Sequence, residues 1–268
     1  MAGRKNMYLV AVAIVIGSIA AYYPSQEQAA VAQISSNTTN PVNNSSMGTS
    51  SNTTNPVNNS SMGTTPTAFP ADTIQYNLTY GEWTARWWQW LYSIPEVRNP
   101  AADETGANCH EGQSGPVWFL AGTFGGLNER VCTIPAGKSI LFPVVNQLCT
   151  FIDYPNLRTE LELRSCAIAA NEGVTELMVT IDGQPINEQQ LRSYRVHSPL
   201  FDLNLPEGNI LSGQLGSTQG VSDGFWVFLP PMAPGAHEIH FRGTIVDFTT
   251  ASQNNFVTEA LYHITSVG

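Results

Sequence analysis

Charged side chains are scarce in this chain: Asp, Glu, Lys and Arg make up 12% of its 268 residues, about half the usual share. Basic residues are the scarcer kind, with 11 Lys and Arg against 21 Asp and Glu, and the formal net charge is -10. No run rich in Lys or Arg is present, although binding to nucleic-acid phosphates needs such clusters. The composition therefore predicts no nucleic-acid partner, and an acidic surface by itself selects no other partner.

Several motifs of metal and phosphate sites are missing or incomplete. No C-x-x-C pair, which is typical of structural zinc sites, occurs. Residues 137–139 end like a phosphate-binding loop, but Cys132 stands where its leading glycine belongs, and residues 113–115 do not complete G-x-S-x-G. His237 and His240 would point to opposite faces of one strand, so they cannot share an ion without a bulge. The sequence predicts no metal site and no cofactor.

The N-terminus has the layout of an export signal. Arg4 and Lys5 provide a positive start, and residues 7–23 are apolar and uncharged. Residues 30–32 read Ala-Val-Ala and match the A-x-A cleavage rule. The apolar run is about 17 residues long, the lower limit for crossing a bilayer. We therefore expect residues 1–32 to be a signal peptide or a retained anchor. This segment would be the chain's one contact with the membrane, and the rest of the chain would lie outside the cell or on its surface.

Residues 33–66 have the composition of a disordered linker. The string SSNTTNPVNNSSMGT at 35–49 recurs letter for letter at 50–64. Because this unit has almost no apolar side chains to bury, it cannot offset the entropy cost of ordering. The linker contains N-x-[ST] glycosylation motifs, which a polar spacer also matches by chance, and one further match lies at the edge of the folded part. The candidate acceptors are Asn37, Asn43, Asn44, Asn52, Asn58, Asn59 and Asn77.

The four cysteines indicate disulfides, because an even number in an exported chain is usually paired. Three pairings are possible. We favour the sequential pairs, Cys109 with Cys132 and Cys149 with Cys166, since both close local loops. The alternative is a zinc site built from all four thiolates, for which the spacing is unsuitable.

The folded part is expected over residues 67–268 and begins with a helix rich in tryptophan. Thr79 and Glu82 have the spacing of a capping box. Pro95 disfavours a helical conformation for the residue before it, so the helix should end near Ser93. Its apolar arc is about 200° wide, which predicts that most of the helix is buried.

Strand patterns dominate the remainder. Apolar or alternating runs occupy 117–124, 139–145, 177–181, 225–229 and 256–267, and Asp182-Gly183 is a strong hairpin signal. Two short helices are expected, at 156–170 and 188–193. The sequence predicts a mainly β fold, an antiparallel β-sandwich (jelly-roll-like or immunoglobulin-like) with the N-terminal Trp-rich helix and one or two short inserted helices.

A family resemblance covers most of residues 79–265. It is carried, in this order, by GEWTARWWQWLYSIP, TGANCHEGQSGPVWFLAGTFGG, CTIPAGKSILFPVVN, TIDGQPI, YRVHSPLFDLNLPEGN and DGFWVFLPPMAPGAHEIHFRG. These segments resemble a family of exported, β-rich proteins of bacteria and archaea for which no activity is established. The resemblance implies a single domain and supports the strand assignment, and it assigns no functional residue.

One set of residues is a candidate ligand-binding platform. Trp88 and Tyr92 lie beyond the edge of the main apolar face of the first helix, and Arg86 is nearby. Exposed aromatic rings there would stack on sugars or other flat ligands. The alternative, which we favour, is that the whole helix plugs an end or a face of the β-structure.

The sequence favours a non-catalytic binding or interaction module that recognises a surface glycan or an envelope protein. The alternatives are a structural envelope component and a secreted hydrolase with paired carboxylates, since a β-sandwich can support all three. A hydrolase predicts a cleft where two carboxylates, or a histidine and a carboxylate, converge with perturbed pKa values. The candidate carboxylates are Glu82, Asp103, Glu104, Glu111, Asp223 and Glu238.

Overall fold

The computed structural model describes residues 67–210, 215–246 and 255–268. The predicted signal or anchor at 1–32 and the linker at 33–66, with its glycosylation candidates, lie outside the described residues. Within the described ranges, no helix is both long enough and apolar enough to cross a membrane.

The described chain is mainly β-structure, which confirms that part of the prediction. Its three α-helices are α1 (Tyr80–Ser93), α2 (Glu160–Ala170) and α3 (Glu188–Ser193), and a short 3₁₀ helix covers Glu96–Arg98. Its strands are β1 (Ile74–Gln75), β2 (Leu78–Thr79), β3 (Val117–Phe119), β4 (Gly126–Pro135), β5 (Ser139–Thr150), β6 (Val174–Ile181), β7 (Gln184–Pro185), β8 (Arg195–His197), β9 (Phe201–Leu205), β10 (Gly216–Leu229), β11 (Gly235–Val246) and β12 (Asn255–Val267).

The long strands form two five-stranded sheets, and β1 pairs with β2 in a separate hairpin. The first sheet has the order β3-β5-β10-β8, and β9 pairs with another stretch of β10; the second has the order β4-β12-β11-β6-β7. Both sheets are mixed, because β3 is parallel to β5 and β4 is parallel to β12. The purely antiparallel prediction is therefore wrong, since hairpin signals predict only pairs of strands that are consecutive in sequence, and parallel pairs need a long crossover.

The two sheets share one apolar core. Successive side chains of a strand point to opposite faces, and one face of each sheet supplies this core. Phe142 of β5 stacks on Phe241 of β11 with ring centroids 4.8 Å apart, and Phe241 lies 6.1 Å from the ring of Tyr262 on β12. All three rings are buried. A residue from the first sheet is thus in direct ring contact with the second.

Helix α1 covers the other face of the first sheet. It begins with the predicted capping box, in which the Glu82 amide donates to Thr79 Oγ1 (3.3 Å) and the Thr79 amide donates to Glu82 Oε2 (2.7 Å). The Trp87 ring packs 5.3 Å from that of Trp226 on β10. Gly81 allows the close approach of the helix, because a Cβ there would lie 2.4 Å from the carbonyl oxygen of His197 on β8.

Helix α2 begins later than predicted, at a second capping box. The Glu162 amide donates to Thr159 Oγ1 (3.3 Å), and the Thr159 amide donates to Glu162 Oε2 (2.8 Å). Leu161 is 72% exposed, whereas Leu163 is fully buried. The later start is explained by the cap, because Thr159 is extended and helical geometry begins only at Glu160.

Two disulfides fasten one loop and one helix to the sheets. They join Cys109 to Cys132 and Cys149 to Cys166, with Cα atoms 5.9 Å and 6.1 Å apart, and these are the sequential pairs that the sequence favours. The first links the loop before β3 to β4, and the second links α2 to β5. Each closes a loop for which the stabilisation is about 3 kcal/mol in the chain-entropy account.

Arg130 on β4 is a buried cation, only 1% exposed. Its Nε donates to the carbonyl of Asp103 (2.8 Å). Its Nη1 donates to the carbonyls of Ala121 (2.7 Å) and Gly122 (3.1 Å) and to the hydroxyl of Tyr262 (2.8 Å). The guanidinium thus holds two loops against β4 and β12, and its charge is solvated by oxygen dipoles instead of water.

Candidate functional site

The predicted aromatic platform on α1 is not a surface. Trp88 is 8% exposed and Tyr92 is 7% exposed, with their ring centroids 5.3 Å apart. Burial, and to a smaller degree the charge of Asp153, raises the pKa of Tyr92 above its ordinary value. Of the three predicted residues, only Arg86 remains exposed. Both rings pack in the layer between α1 and the first sheet, so they offer no free face for stacking, and the helix covers the sheet instead.

Two of the predicted carboxylates have structural roles. Glu82 caps α1, and Asp103 organises its own loop by accepting hydrogen bonds from the amides of Thr105 (2.9 Å) and Asn108 (2.7 Å). Burial alone would raise the pKa of Asp103, but these hydrogen bonds lower it below its ordinary value. A third, Glu111, forms an ion pair with Arg98 at 3.0 Å.

Asn77 is exposed at the turn between β1 and β2, where its φ is +65°. The glycosylation motif also requires the hydroxyl of Thr79, which donates to Glu82 Oε2 (2.7 Å) in the capping box. The acceptor side chain is thus accessible, while the third residue of its motif is occupied by the helix cap. The structure leaves modification of Asn77 as a prediction.

The second sheet has an outer face that points away from the shared core. On β4, β6, β11 and β12 the residues alternate with core residues, so they lie on this side. Leu127 and Val131 on β4 are 55% and 64% exposed. We define the outer face as Leu127, Glu129, Val131, Glu176, Met178, Glu238, His240, Arg242, Glu259, Leu261 and His263.

Histidine–carboxylate pairs cross the outer face from strand to strand. His263 on β12 places Nε2 2.7 Å from Glu129 Oε1 on β4 and Nδ1 3.7 Å from Glu238 Oε2 on β11. His240 on β11 places Nε2 2.8 Å from Glu259 Oε1 on β12. The side chains of His263 and Glu238 are 42% and 44% exposed, so these histidine–carboxylate pairs are accessible to solvent and to ligands.

A shallow depression of about 370 Å³ lies at one end of the outer face. It is large enough for a small ligand, although it is open rather than enclosed. It is lined by Val131, Asp182, Ala236, His237, Glu238, His263, Ile264 and Thr265. The depression therefore combines two histidines and two carboxylates with an exposed apolar side chain.

His237 stands at the rim of this depression. Its Nδ1 lies 2.8 Å from Asp182 Oδ2, and its Nε2 lies 2.8 Å from the carbonyl oxygen of Ala233. Asp182 belongs to the predicted hairpin turn with Gly183, and both have positive φ. Burial alone would lower the pKa of His237, but the hydrogen bonds to Asp182 and Ala233 and the charge of Asp182 raise it.

Replacing His237 by glutamine should change how stability depends on pH. Because the pKa of His237 is raised on folding, the protonated ring stabilises the native state below the unfolded pKa, and this contribution is lost as pH rises through the folded pKa. The difference in unfolding free energy between wild type and His237→Gln should therefore be larger at about pH 5 than at about pH 8. Urea unfolding at each pH measures it. Asp182→Asn should weaken the same pH dependence, and a difference that does not vary with pH would contradict this account.

A second polar cluster surrounds Asp223 in the first sheet. Asp223 on β10 is 0% exposed. Its Oδ2 accepts from Arg195 Nε (3.0 Å) and lies 2.9 Å from Arg195 Nη2, while its Oδ1 lies 2.6 Å from His197 Nδ1. Arg195 also binds Glu172 Oε1 (2.9 Å) and the Ile168 carbonyl (3.1 Å) near the end of α2. A buried carboxylate is thus held between an arginine and a histidine of edge strand β8.

The electrostatics of this cluster follow from that arrangement. Burial alone would lower the pKa of Arg195, but hydrogen bonding to Asp223 and its charge, followed by those of Glu172, raise it. Asp223 is a candidate carboxylate in the sequence, whereas Arg195 and His197 carry no signal there. Their spacing on β8 places both on one face, but only the pairing of β8 with β10 brings them to Asp223.

Comparison with known proteins adds no assignment. No protein-family model matches the chain, and neither the curated proteins nor the solved structures give a match to it. The resemblance to a family of exported β-rich proteins therefore stays a prediction. In the described ranges 67–210, 215–246 and 255–268, no three His, Cys, Asp or Glu residues are grouped so that they could hold a metal ion.

Proposed function

We propose that the chain is an exported binding module that recognises a hydroxyl-rich ligand, such as a surface glycan, with the outer face of its second sheet. The observation that carries the proposal is the set of half-exposed histidine–carboxylate pairs across β4, β11 and β12, together with the depression at one end of the outer face. Two sheets with a common core support the accompanying proposal of a β-sandwich.

The chemistry of the outer face suits hydroxyl groups. Carboxylates accept hydrogen bonds from hydroxyls, and a histidine ring can accept or donate according to its protonation. Leu127 and Val131 add apolar contacts for the carbon-bound hydrogens of a sugar ring. The four carboxylates of the face, Glu129, Glu176, Glu238 and Glu259, outnumber its single arginine, Arg242, so the face repels phosphate-rich ligands.

The position of the ligand groups favours binding over a purely structural role. The pairs are built on regular strands, which hold side chains more rigidly than loops do. The N-terminal segment and linker would present such a face outside the cell, and two disulfides are compatible with an oxidising compartment.

Substituting Glu238 or His263, which form one of the histidine–carboxylate pairs of the outer face, should weaken ligand binding. The full-length chain is applied to a glycan array and to isolated cell envelope, and the affinity for the best ligand is measured. Glu238→Gln and His263→Ala should each lower it about tenfold or more, since a hydrogen bond with a charged group contributes about 1.5–3 kcal/mol.

The matched control for this experiment is Glu188→Gln on α3, whose side chain is 55% exposed and lies outside the outer face. It should bind like wild type. Absence of binding by the wild-type chain to both the array and the envelope would refute the proposal and favour a structural component. Equal losses in Glu188→Gln and Glu238→Gln would refute the assignment of the face.

A further inference from the structure

His237 differs from His240 and His263 in having a hydrogen-bond acceptor at each ring nitrogen. Its Nδ1 faces the Asp182 carboxylate and its Nε2 faces the Ala233 carbonyl, each at 2.8 Å. His240 and His263 each form one such bond, through Nε2, to a glutamate. A neutral imidazole has one N–H and can serve one acceptor, whereas the imidazolium has two and serves both. The surroundings of His237 therefore fit the protonated ring.

The two acceptors of His237 are not held equally firmly. The Asp182 amide donates to the Glu238 carbonyl (2.8 Å), and Asp182 Oδ1 accepts from the Glu238 amide (2.8 Å). Ala233 belongs to the loop 230–234, which connects β10 of the first sheet to β11 of the second. Three of the five residues in this loop are prolines, which have no N–H to donate. The carboxylate is thus fixed to β11 independently of the ring, whereas the loop has few donors of its own.

Loss of a proton from His237 breaks one of its two bonds. A hydrogen bond to a carboxylate is stronger than one to a neutral carbonyl, so the remaining proton stays on Nδ1, opposite Asp182. The lone pair of Nε2 then faces the carbonyl oxygen of Ala233, and two acceptors at 2.8 Å repel each other. The loop is therefore the partner that loses its attachment to the ring.

We propose that His237 is a pH-operated latch, which fastens the loop 230–234 to β11 when its ring is protonated and releases the loop when the ring loses a proton. The proton passes to solvent, to which 15% of the His237 side chain is exposed. Because Ala236 and His237 line the depression, the latch couples pH to the rim of the depression. An effect on ligand binding would rest on the proposed function, whereas the latch itself needs no ligand.

The ionisable groups around His237 determine the direction of the switch. They are Asp182 from the turn between β6 and β7, Glu238 from β11 and His263 from β12, while β4 contributes the uncharged Val131. Burial lowers the pKa of His237, but its hydrogen bonds and the charge of Asp182 outweigh burial and raise it. The latch is therefore closed at the ordinary pKa of histidine and below it, and it opens as the pH rises through the higher folded value.

Methyl NMR of the full-length chain, labelled with ¹³C at the methionine methyl groups, tests the latch. Met232 precedes Ala233, is 6% exposed and packs in the shared core, so its methyl signal reports on the loop. Between about pH 5 and about pH 9 this signal, assigned with Met232→Leu, should show a transition. Its midpoint should coincide with deprotonation of the His237 ring, followed through the ring ¹⁵N signals.

Two variants separate the latch from other pH effects on this signal. His237→Gln should abolish the transition, because the ring that titrates is gone. Asp182→Asn keeps the ring and should move the midpoint to lower pH, since a neutral amide stabilises the imidazolium less than a carboxylate does. A midpoint unchanged in Asp182→Asn would contradict the assignment.

His263→Gln is the matched control, because His263 lines the same depression but bonds to Glu129 instead of the loop. It should keep the transition of the Met232 signal. A Met232 signal that does not change with pH in wild type would overturn the proposal, and so would an equal transition in His237→Gln. These signals are read without a ligand, so the outcome of the glycan experiment does not affect this test.

Discussion

Replacing Arg130 by methionine should lower the free energy of unfolding by about 4 kcal/mol. The guanidinium is the hydrogen-bond donor for the carbonyls of Asp103, Ala121 and Gly122 and for the Tyr262 hydroxyl, at 2.7–3.1 Å. Methionine fills much of the same space but donates no hydrogen bond, so each of these oxygens loses a donor. Within the described residues, only the Ala121 carbonyl among the three carbonyls keeps a second donor, the Tyr262 hydroxyl (2.8 Å). Each buried acceptor left unsatisfied costs about 1–3 kcal/mol.

Urea unfolding with the disulfides intact measures this effect. Arg86→Met is the matched control, because Arg86 is exposed on α1 and its replacement should change stability by no more than about 0.5 kcal/mol. If the two variants lose the same free energy of unfolding, the hydrogen bonds from Arg130 to the carbonyls contribute no more to stability than an exposed arginine does. A change in the slope of the unfolding curve would show instead that the compactness of one state has changed.

Truncating Trp88 to alanine should destabilise the fold by about 4 kcal/mol. The ring is 8% exposed and packs 5.0 Å from Trp87 and 5.3 Å from Tyr92, so its removal leaves a cavity between α1 and the first sheet. An exposed stacking residue would behave differently, because its loss would reduce ligand binding and leave stability nearly unchanged.

Trp88→Phe separates the contribution of the ring from that of its polar group. Within the described residues, Trp88 Nε1 is buried and has no hydrogen-bond partner. Phenylalanine retains an aromatic ring and removes this unsatisfied donor, so the loss should be less than half of that in Trp88→Ala. Thermal and urea unfolding of both variants provide the measurement. A stable Trp88→Ala protein would show that the helix is not packed as described.

Local signals in the sequence were sufficient for several elements. The spacing of Thr79 and Glu82 predicts the start of α1, and Asp182-Gly183 predicts the hairpin turn whose residues both have positive φ. The two disulfides are the sequential pairs that the sequence favours, with separations of 23 and 17 residues. For the helix cap and the hairpin turn the interacting groups are close along the chain, so the energies that specify them are local.

The candidate sites required the fold. His263 contacts Glu129, and Asp223 contacts Arg195 and His197, only because strands distant in sequence are paired. Helical periodicity favoured a largely buried helix but left Trp88 beyond the edge of its main apolar face, since periodicity defines the faces of a helix and not how much of its circumference the sheet covers. The hydrogen bonds of Arg130 could not be predicted from the sequence for a further reason. Most of their acceptors are backbone carbonyls, and every residue has one.

The sequence by itself determined that this chain is mainly β and where its first helix begins, and it favoured the sequential cysteine pairs among three possible pairings. These properties depend on composition, alternation and short-range hydrogen bonds. Only the tertiary structure decided that the sheets are mixed, that the Trp88 and Tyr92 rings are buried, and that polar groups meet on the outer face and at Asp223. Those features depend on which strands pair and in what register, and a one-residue change of register would turn every side chain to the other face.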